Sequence, residues 1–374
     1  MNSRDSEALA GLLQDRGYTL TDKPENADVV LFNTCSVRQH AEDKVWSEVG
    51  RLQKVVSRQS KVHGPSTMDH RPIIGIIGCM AQNYKEDIFK RTPQVDLVVG
   101  PNDLTSIPAL LDALNKERSR ALAVGAMERE RNLYVSQYRQ DKNHAYVVIS
   151  EGCNNFCSYC VVPFVRGRLR SRNIDEVLGE IKSTIAAGIK HITLLGQNVN
   201  SYRDSNGRVD FIRLIEEVSR IEGLGTFDFV TSHPKDTSVE LFKAMARLKN
   251  IQKTLHLPVQ SGSNRILKLM NRGYTREHYM QLADEYKKIV GGSLSTDIIV
   301  GFPTETEEDF NDTVDLINGV RFDAAYIFKY SVRPHTQANE LNDDVSLEEK
   351  KRRHKICLEL QKKISKEKRC LEKS

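Results

Sequence analysis

Apolar runs long enough to cross a bilayer are missing from this chain of 374 residues; none reaches the ~18 residues a membrane helix needs. The N-terminus shows no charged, apolar and small-residue succession of a secretory leader, so the expectation is a cytoplasmic protein, or one of an organellar matrix if eukaryotic, with no membrane partner. Cysteine is scarce. Seven in the whole chain are too few for a disulfide framework and point to a reducing compartment. Charge of one sign is nearly balanced at +5, but unevenly placed. Leu347 to Ser374 holds eleven Lys or Arg against five Glu, so the other 346 residues sum to about −1. That tail reads as a solvated amphipathic helix or as a phosphate-facing surface. With 39% hydrophobic and 28% charged residues, the rest is an ordinary globular composition with room for two cores.

Three of the few cysteines are crowded into Cys153-Asn-Asn-Phe-Cys157-Ser-Tyr-Cys160. Three thiols at this spacing can close on one metal centre and leave its fourth position open, as a catalytic centre requires. Structural zinc would want a second pair of ligands within finger spacing, and the sequence offers none.

The N-terminal part, residues 1–116, alternates helix and strand patterns. Asp5 to Arg16 reads as a helix stopped by Gly17. Ala27 to Phe32, Ile73 to Ile77 and Leu97 to Gly100 read as buried strands, with a helix from Val37 to Val56 between the first two. The expectation is a Rossmann-like α/β domain on a parallel sheet. Cys35 and Cys79 each fall just past a strand's carboxyl end, where open α/β sheets place ligands. Ser57 to Arg71 reads as an exposed loop, and 117–144 as a linker.

From residue 145 to 335 six apolar strands alternate with helices: Ala145 to Ser150, His191 to Leu195, Thr226 to Val230, Thr254 to Pro258, Ser293 to Val300 and Ala324 to Phe328. That is too few for a closed eight-unit barrel and enough for a partial (β/α)6 barrel, whose strand ends should carry the site. At those ends stand Glu151-Gly152-Cys153, Gly196-Gln197-Asn198, Ser232-His233-Pro234, Gln260-Ser261-Gly262 and Gly301-Phe302-Pro303-Thr304-Glu305-Thr306. Glycine admits a close ligand, and Ser or Thr before a helix offers donors to carboxylate or ribose oxygens. His233 and His256 read as satisfied strand-end histidines, because thiolates would already hold a metal centre on the cysteine loop. Residues 336–374 form a basic C-terminal helix.

At these residues the chain resembles the radical S-adenosylmethionine enzymes, and over nearly its whole length the methylthiotransferases. The marks are NTCSVR around Cys35, GCMAQ around Cys79, EGCNNFCSYCVVPFVRGRLRSR from Glu151, LLGQNVNSY from Leu194, LPVQSGS from Leu257 and DIIVGFPTETEEDF from Asp297. The Gly-Gln-Asn-Val-Asn segment favours the branch acting on isopentenyladenosine in tRNA over the threonylcarbamoyladenosine and ribosomal-protein branches. A truncated form that cleaves S-adenosylmethionine or binds RNA without inserting sulfur is a further alternative.

The resemblance implies two 4Fe-4S clusters. Cys153, Cys157 and Cys160 would hold the one that reduces S-adenosylmethionine to a 5′-deoxyadenosyl radical, with Tyr159, Gly196, Gln197, Asn198, Ser232, Gln260, Asp297 and Gly301 around the cofactor. Cys35 and Cys79 would belong to an auxiliary cluster that carries the inserted sulfur. A second S-adenosylmethionine would supply the methyl group, and the target would be carbon 2 of an adenine beside the anticodon. No protein side chain is assigned a catalytic role, because no acid or base opens that C–H bond. The implied partners are a tRNA anticodon stem-loop, an electron donor such as flavodoxin or ferredoxin, and a sulfur donor.

Two departures from the family pattern stand out. Met1 to Glu7 matches the segment that follows the family's first auxiliary-cluster cysteine, so that ligand and the first strand would fall ahead of Met1. An internal start codon or a shortened reading frame is the expected reason, and an in-frame Cys-Gln upstream is its check. The family's RNA-gripping β-barrel is also expected after the basic helix and does not follow it. RNA affinity is then expected from that helix and from Arg166, Arg168, Arg170 and Arg172. Val332 and His335 stand where the family has Pro and Gly.

Overall fold

The computed structural model describes residues 1–36, 39–63, 71–125 and 133–371. The chain divides into two compact units, Met1–Gln140 with Val161–Arg168, and Asp141–Cys160 with the residues from Leu169 onward.

In the first unit α1 (Asn2–Gln14) buries Ala8 and Leu9 and ends before Gly17, whose φ of 86° is the left-handed turn only glycine adopts without strain. The sheet is parallel, in the order β1 (Val29–Asn33), β2 (Ile73–Ile77), β3 (Leu97–Val99), β4 (Ala121–Ala123). All five residues of β2 are buried, as an unbroken Ile-Ile-Gly-Ile-Ile run demands in a strand covered on both faces. Two expectations need correction. Residues 117–144 are not merely a linker, because Ala121–Ala123 pairs with Leu97–Val99 as a fourth strand too short for periodicity to reveal. The helix α2 runs Gln39–His63, past the Ser57 at which a loop was expected to begin. Val37 and residues 64–70 lie outside the described residues. The helices α3 (Cys79–Tyr84), α4 (Asp87–Arg91), α5 (Ile107–Lys116) and α6 (Val162–Arg166) complete this unit.

The second unit begins with β5 (His144–Val148) and a short antiparallel pair, β6 (Ser150–Glu151) with β7 (Arg170–Ser171). Helices and parallel strands then alternate: α7 (Ile174–Ala186), β8 (His191–Leu195), α8 (Phe211–Ser219), β9 (Thr226–Val230), α9 (Val239–Arg247), β10 (Thr254–His256), α10 (Asn264–Leu269), α11 (Arg276–Ile289), β11 (Ser293–Val300), α12 (Glu307–Val320), β12 (Ala324–Lys329) and α13 (Leu347–Leu371). Strands β5, β8 and β9 form one parallel sheet and β10, β11 and β12 another. A parallel bridge from Phe227 to Ile251 and a bond from Ser232 N to His256 O at 3.3 Å link them, giving six strands in chain order. Among the described residues β12 does not pair back onto β5, so the barrel is partial.

Successive residues of each strand point to opposite faces. Val147, Leu194, Phe227, Leu255, Leu294 and Ile327 belong to the buried core under the helices. The opposite face carries Tyr146, Thr193, Asp228, His256, Asp297 and Tyr326. A closed eight-strand barrel fills that face with branched aliphatics; here polar groups share it with Val148, Leu195, Val230 and Ile299. Helix α13 closes the unit with buried Cys357 and Ile364, and with Gln361 donating to Phe322 O at 2.9 Å. Among the described residues no helix is long and apolar enough to cross a membrane.

Candidate functional site

The second unit gathers its unusual chemistry beyond the carboxyl ends of the strands. The cysteine loop is held from three sides. Gly152 N donates to Gln197 Oε1 at 2.6 Å, tying the loop's start to the end of β8. Asn155 donates to Asp236 Oδ2 at 3.3 Å, and the same carboxylate accepts from Asn198 at 2.6 Å and Ser201 at 2.9 Å. Asn271 donates to Phe156 O at 3.0 Å, and Ser158 N to Met270 O at 3.0 Å. Phe156 is held at φ 47°, and Thr231 and Gln260, past β9 and β10, at φ 73°. Non-glycine residues in this region mark places where the surroundings impose a conformation, commonly around ligands.

Cys157 lies at the middle of this loop and is buried. Arg272 Nη1 donates to its sulfur at 3.2 Å, and His233 Nε2 stands 3.8 Å away. Because His233 Nδ1 accepts from Lys235 N at 3.2 Å, the ring proton sits on Nε2 and points at the sulfur. Burial, with Arg272 and Lys235 nearby, pushes the histidine down to about 2, so it is a neutral donor. It is a satisfied histidine, as read from sequence, and it touches a cysteine that the sequence singled out. Burial likewise pushes the Cys153 thiol up, so loading metal there must release protons.

Among the described residues no three His, Cys, Asp or Glu side chains converge as ligands of a single ion. A cubane cluster asks for something else: each thiolate meets its own iron corner, so its sulfurs stand apart. Cys153, Cys157 and Cys160 on one short pinned loop, with N–H donors on one sulfur, fit that demand. The cofactor's place fits too. Ser150 Oγ, Asn198 Oδ1 and Ser232 Oγ are buried without hydrogen-bond partners at three neighbouring strand ends. Buried orphans of this kind call for a polar ligand. A Cβ on Gly196 would stand 2.6 Å from Ser150 Oγ, so a larger residue there would have to turn that hydroxyl aside.

The other expected cofactor residues are already occupied in part. Gln197 holds Gly152, and Asn198 bonds Ser201 and Asp236 through its amide nitrogen. Asp297 stands 3.5 Å from His256 on the open face. Gly301 answers to packing, since a Cβ there would collide with Lys350, and its N–H goes to Glu305 Oε2 at 2.6 Å. Thr306 caps α12, accepting from Asp309 N at 3.2 Å and donating to Asp309 Oδ2 at 2.8 Å, so it is not a free donor. Tyr159 packs with Ile266, Met270, Phe302 and Tyr330 and accepts from Arg272 at 3.3 Å. Arg272, Asp236 and Asn271 were not foreseen. Arg272 stands in an ordinary-looking turn between α10 and α11, and nothing in a single sequence marks it.

In the first unit β1 and β2 pair Asn33 with Ile77, and Cys35 and Cys79 each follow two residues later. The register therefore brings the two cysteines to neighbouring strand ends. Cys79 is buried and accepts from Arg166 Nε at 3.2 Å. Arg166 also donates to Asp5 Oδ2 at 2.7 Å and Asn2 Oδ1 at 3.0 Å. The expectation of a phosphate-facing Arg166 is thereby corrected: burial beside a carboxylate removes it from any RNA surface. Arg172 is likewise engaged, with Glu180 Oε2 at 2.5 Å and Val148 O at 2.8 Å. Cys357 is a core thiol, pushed up to about 12 by burial.

Residues 147–317 match the family model of the Radical SAM superfamily, and residues 1–100 that described as Uncharacterized protein family UPF0004. The chain is similar to the tRNA-2-methylthio-N(6)-dimethylallyladenosine synthase of Desulforamulus reducens, with 44% identity over 98% of this chain and 78% of that protein. The protein of the same name from Moorella thermoacetica is 44% identical over 98% of this chain and 81% of its own length. Among solved structures, the radical S-adenosylmethionine methyltransferase TsrM of Kitasatospora setae superposes with a TM-score of 0.64 at 15% identity, covering 90% of this chain and 72% of that one. The cobalamin-dependent enzyme OxsB superposes at 0.55 and 16% identity, covering 94% and 53%. At such identities these two likenesses speak for the fold.

Proposed function

Because this chain belongs to the family of tRNA-2-methylthio-N(6)-dimethylallyladenosine synthases, we infer that it is a radical S-adenosylmethionine enzyme that methylthiolates carbon 2 of isopentenyladenosine beside the anticodon of tRNA. The observation that carries this reading is the cysteine loop at the strand ends, with one buried sulfur under Arg272 and His233 and three orphaned polar atoms around it.

When bound, the cluster and S-adenosylmethionine supply the one-electron chemistry that opens an unactivated C–H bond. The chain's own part is placement. Cys153, Cys157 and Cys160 would hold the radical cluster. Gln197 and Asp236 fix the loop that carries them, while Ser150, Asn198 and Ser232 would bond the cofactor's polar groups. Cys35 and Cys79 would hold the auxiliary cluster with a third ligand, and a sulfur donor would replenish it. A low-potential donor of the flavodoxin or ferredoxin class would supply the electron. For RNA, the exposed lysines of α13 offer a cationic surface.

The test is anaerobic reconstitution followed by incubation with an isopentenylated anticodon stem-loop, read by nucleoside mass spectrometry. Deoxyadenosine release with a methylthio product supports the reading in full. Release without the product would limit the chain to cofactor cleavage. Absence of any cluster chromophore would refute the reading.

A further inference from the structure

Arg272 carries a permanent positive charge into a place that water does not reach; it is 4% exposed. Its guanidinium donates to Pro258 O at 2.7 Å, Tyr274 Oη at 2.9 Å, Tyr159 Oη at 3.3 Å and Cys157 Sγ at 3.2 Å. Among the described residues no carboxylate lies within ion-pair distance of it. A buried cation without an anion is strongly disfavoured unless a counter-charge arrives. Neither phenol can serve, because a tyrosine hydroxyl is neutral at ordinary pH. The contact atom that can become negative is the sulfur of Cys157, and it does so as a thiolate bound to iron.

We propose that Arg272 is a redox-positioning residue: its guanidinium is the built-in counter-charge of the cluster held at Cys157 and raises the potential at which that cluster accepts an electron. The physical reason is that the reduced cluster is one unit more negative than the oxidised one, so a cation hydrogen-bonded to its sulfur stabilises the reduced form more. His233 adds a second, neutral N–H on the same sulfur. One electron arrives from an external one-electron donor; no bond of Arg272 breaks and no proton leaves it. The residue thereby decides how weak a donor still suffices. This inference rests on the reading that Cys153, Cys157 and Cys160 hold the radical cluster.

The experiment compares native protein with Arg272→Gln, Arg272→Lys and, as a packing control, Tyr274→Phe. Each is reconstituted anaerobically, assayed for iron, and titrated with dithionite under electron paramagnetic resonance without S-adenosylmethionine. The Gln variant is expected to shift by at least 59 mV to more negative potential, a tenfold lower reduced-to-oxidised ratio at a fixed donor. Lys should fall between Gln and native, and Tyr274→Phe should stay at the native value. The melting temperature of the iron-free Gln variant should be no lower than that of iron-free native protein, because an uncompensated charge has been removed. If Gln fails to load, the Lys variant supplies the reading. Native potentials in the Arg272 variants would reduce the residue to a structural role and overturn the proposal. A Cys157→Ala variant that loads as much iron as native protein would overturn it together with the cluster assignment beneath it, and the iron count tells the two failures apart.

Discussion

Arg166 binds Cys79 with one edge of its guanidinium and Asp5 with the other, donating from Nε to the sulfur at 3.2 Å and from Nη2 to Oδ2 at 2.7 Å. Asp5 is 0% exposed and accepts also from Tyr134 Oη at 2.9 Å. Removing the cation leaves a carboxylate buried beside a sulfur that is itself expected to carry charge. Arg166→Met should therefore destabilise the first unit by about 3–5 kcal/mol, measured as the midpoint of urea unfolding. Adding Asp5→Asn should recover part of that loss. Recovery of none of it would mean that Arg166 acts through packing alone.

The basic surface of α13 behaves differently, because most of its lysines are exposed. Lys362, Lys363 and Lys366 face solvent. Replacing all three with Gln should weaken anticodon stem-loop binding and flatten the plot of log affinity against log salt by about 0.7–0.9 per lost phosphate contact. Arg166→Met should leave that slope where it is. An unchanged slope in the triple variant would move the RNA surface elsewhere.

Two glycines give opposite expectations from the same substitution. A Cβ on Gly262 would lie 2.6 Å from Thr313 Cα, within the backbone of α12, and Gly262 N bonds Thr313 Oγ1 at 2.9 Å. Gly262→Ala must displace a helix and should cost several times the loss expected of a surface change, on the order of 1–3 kcal/mol or more. Gly179, inside α7, has nothing within 4 Å of a new Cβ. Gly179→Ala should stabilise by about 0.5–1 kcal/mol through helix propensity. Thermal melting of the pair checks both signs.

Asp309 links stability to pH. Burial works against its charge, but hydrogen bonds from Arg265, from Ser263 Oγ at 2.5 Å and from Thr306 hold the carboxyl well below the usual carboxylate range. A depressed folded-state value stabilises the fold fully above the unfolded value, about 3.9, and that contribution fades as pH falls toward the folded one. Asp309→Asn should be less stable by about 1–3 kcal/mol at neutral pH. Its deficit should shrink below about pH 4. Urea midpoints from pH 7 to pH 3 test this, and a deficit that stays constant would exclude the linkage.

Much of the fold was legible because local pattern and final environment agree. The six barrel strands are short, mostly apolar runs between helical segments, and the strand period of two then sets one face against the helices. The Ile73–Ile77 run needs burial on both faces and receives it. Where the pattern is short or ambivalent, the reading fails. Ala121–Ala123 is a strand because β3 offers it an edge, not because three small residues insist on one. The helix through Ser57 continues for lack of any local stop until well past it.

The three-cysteine spacing, the two cysteines past strand ends and the glycines between them are properties of the chain, since covalent neighbours bring those groups together whatever else happens. The partners of those groups are not. Arg272 reaches Cys157 across 115 positions, and Arg166 reaches Asp5 across 161; in sequence each is one cation among 55. Whether an arginine faces solvent, a phosphate or a sulfur is decided by which strand ends the packed helices leave open. Burial is a property of the whole fold, and it alone turns a common cation into a counter-charge.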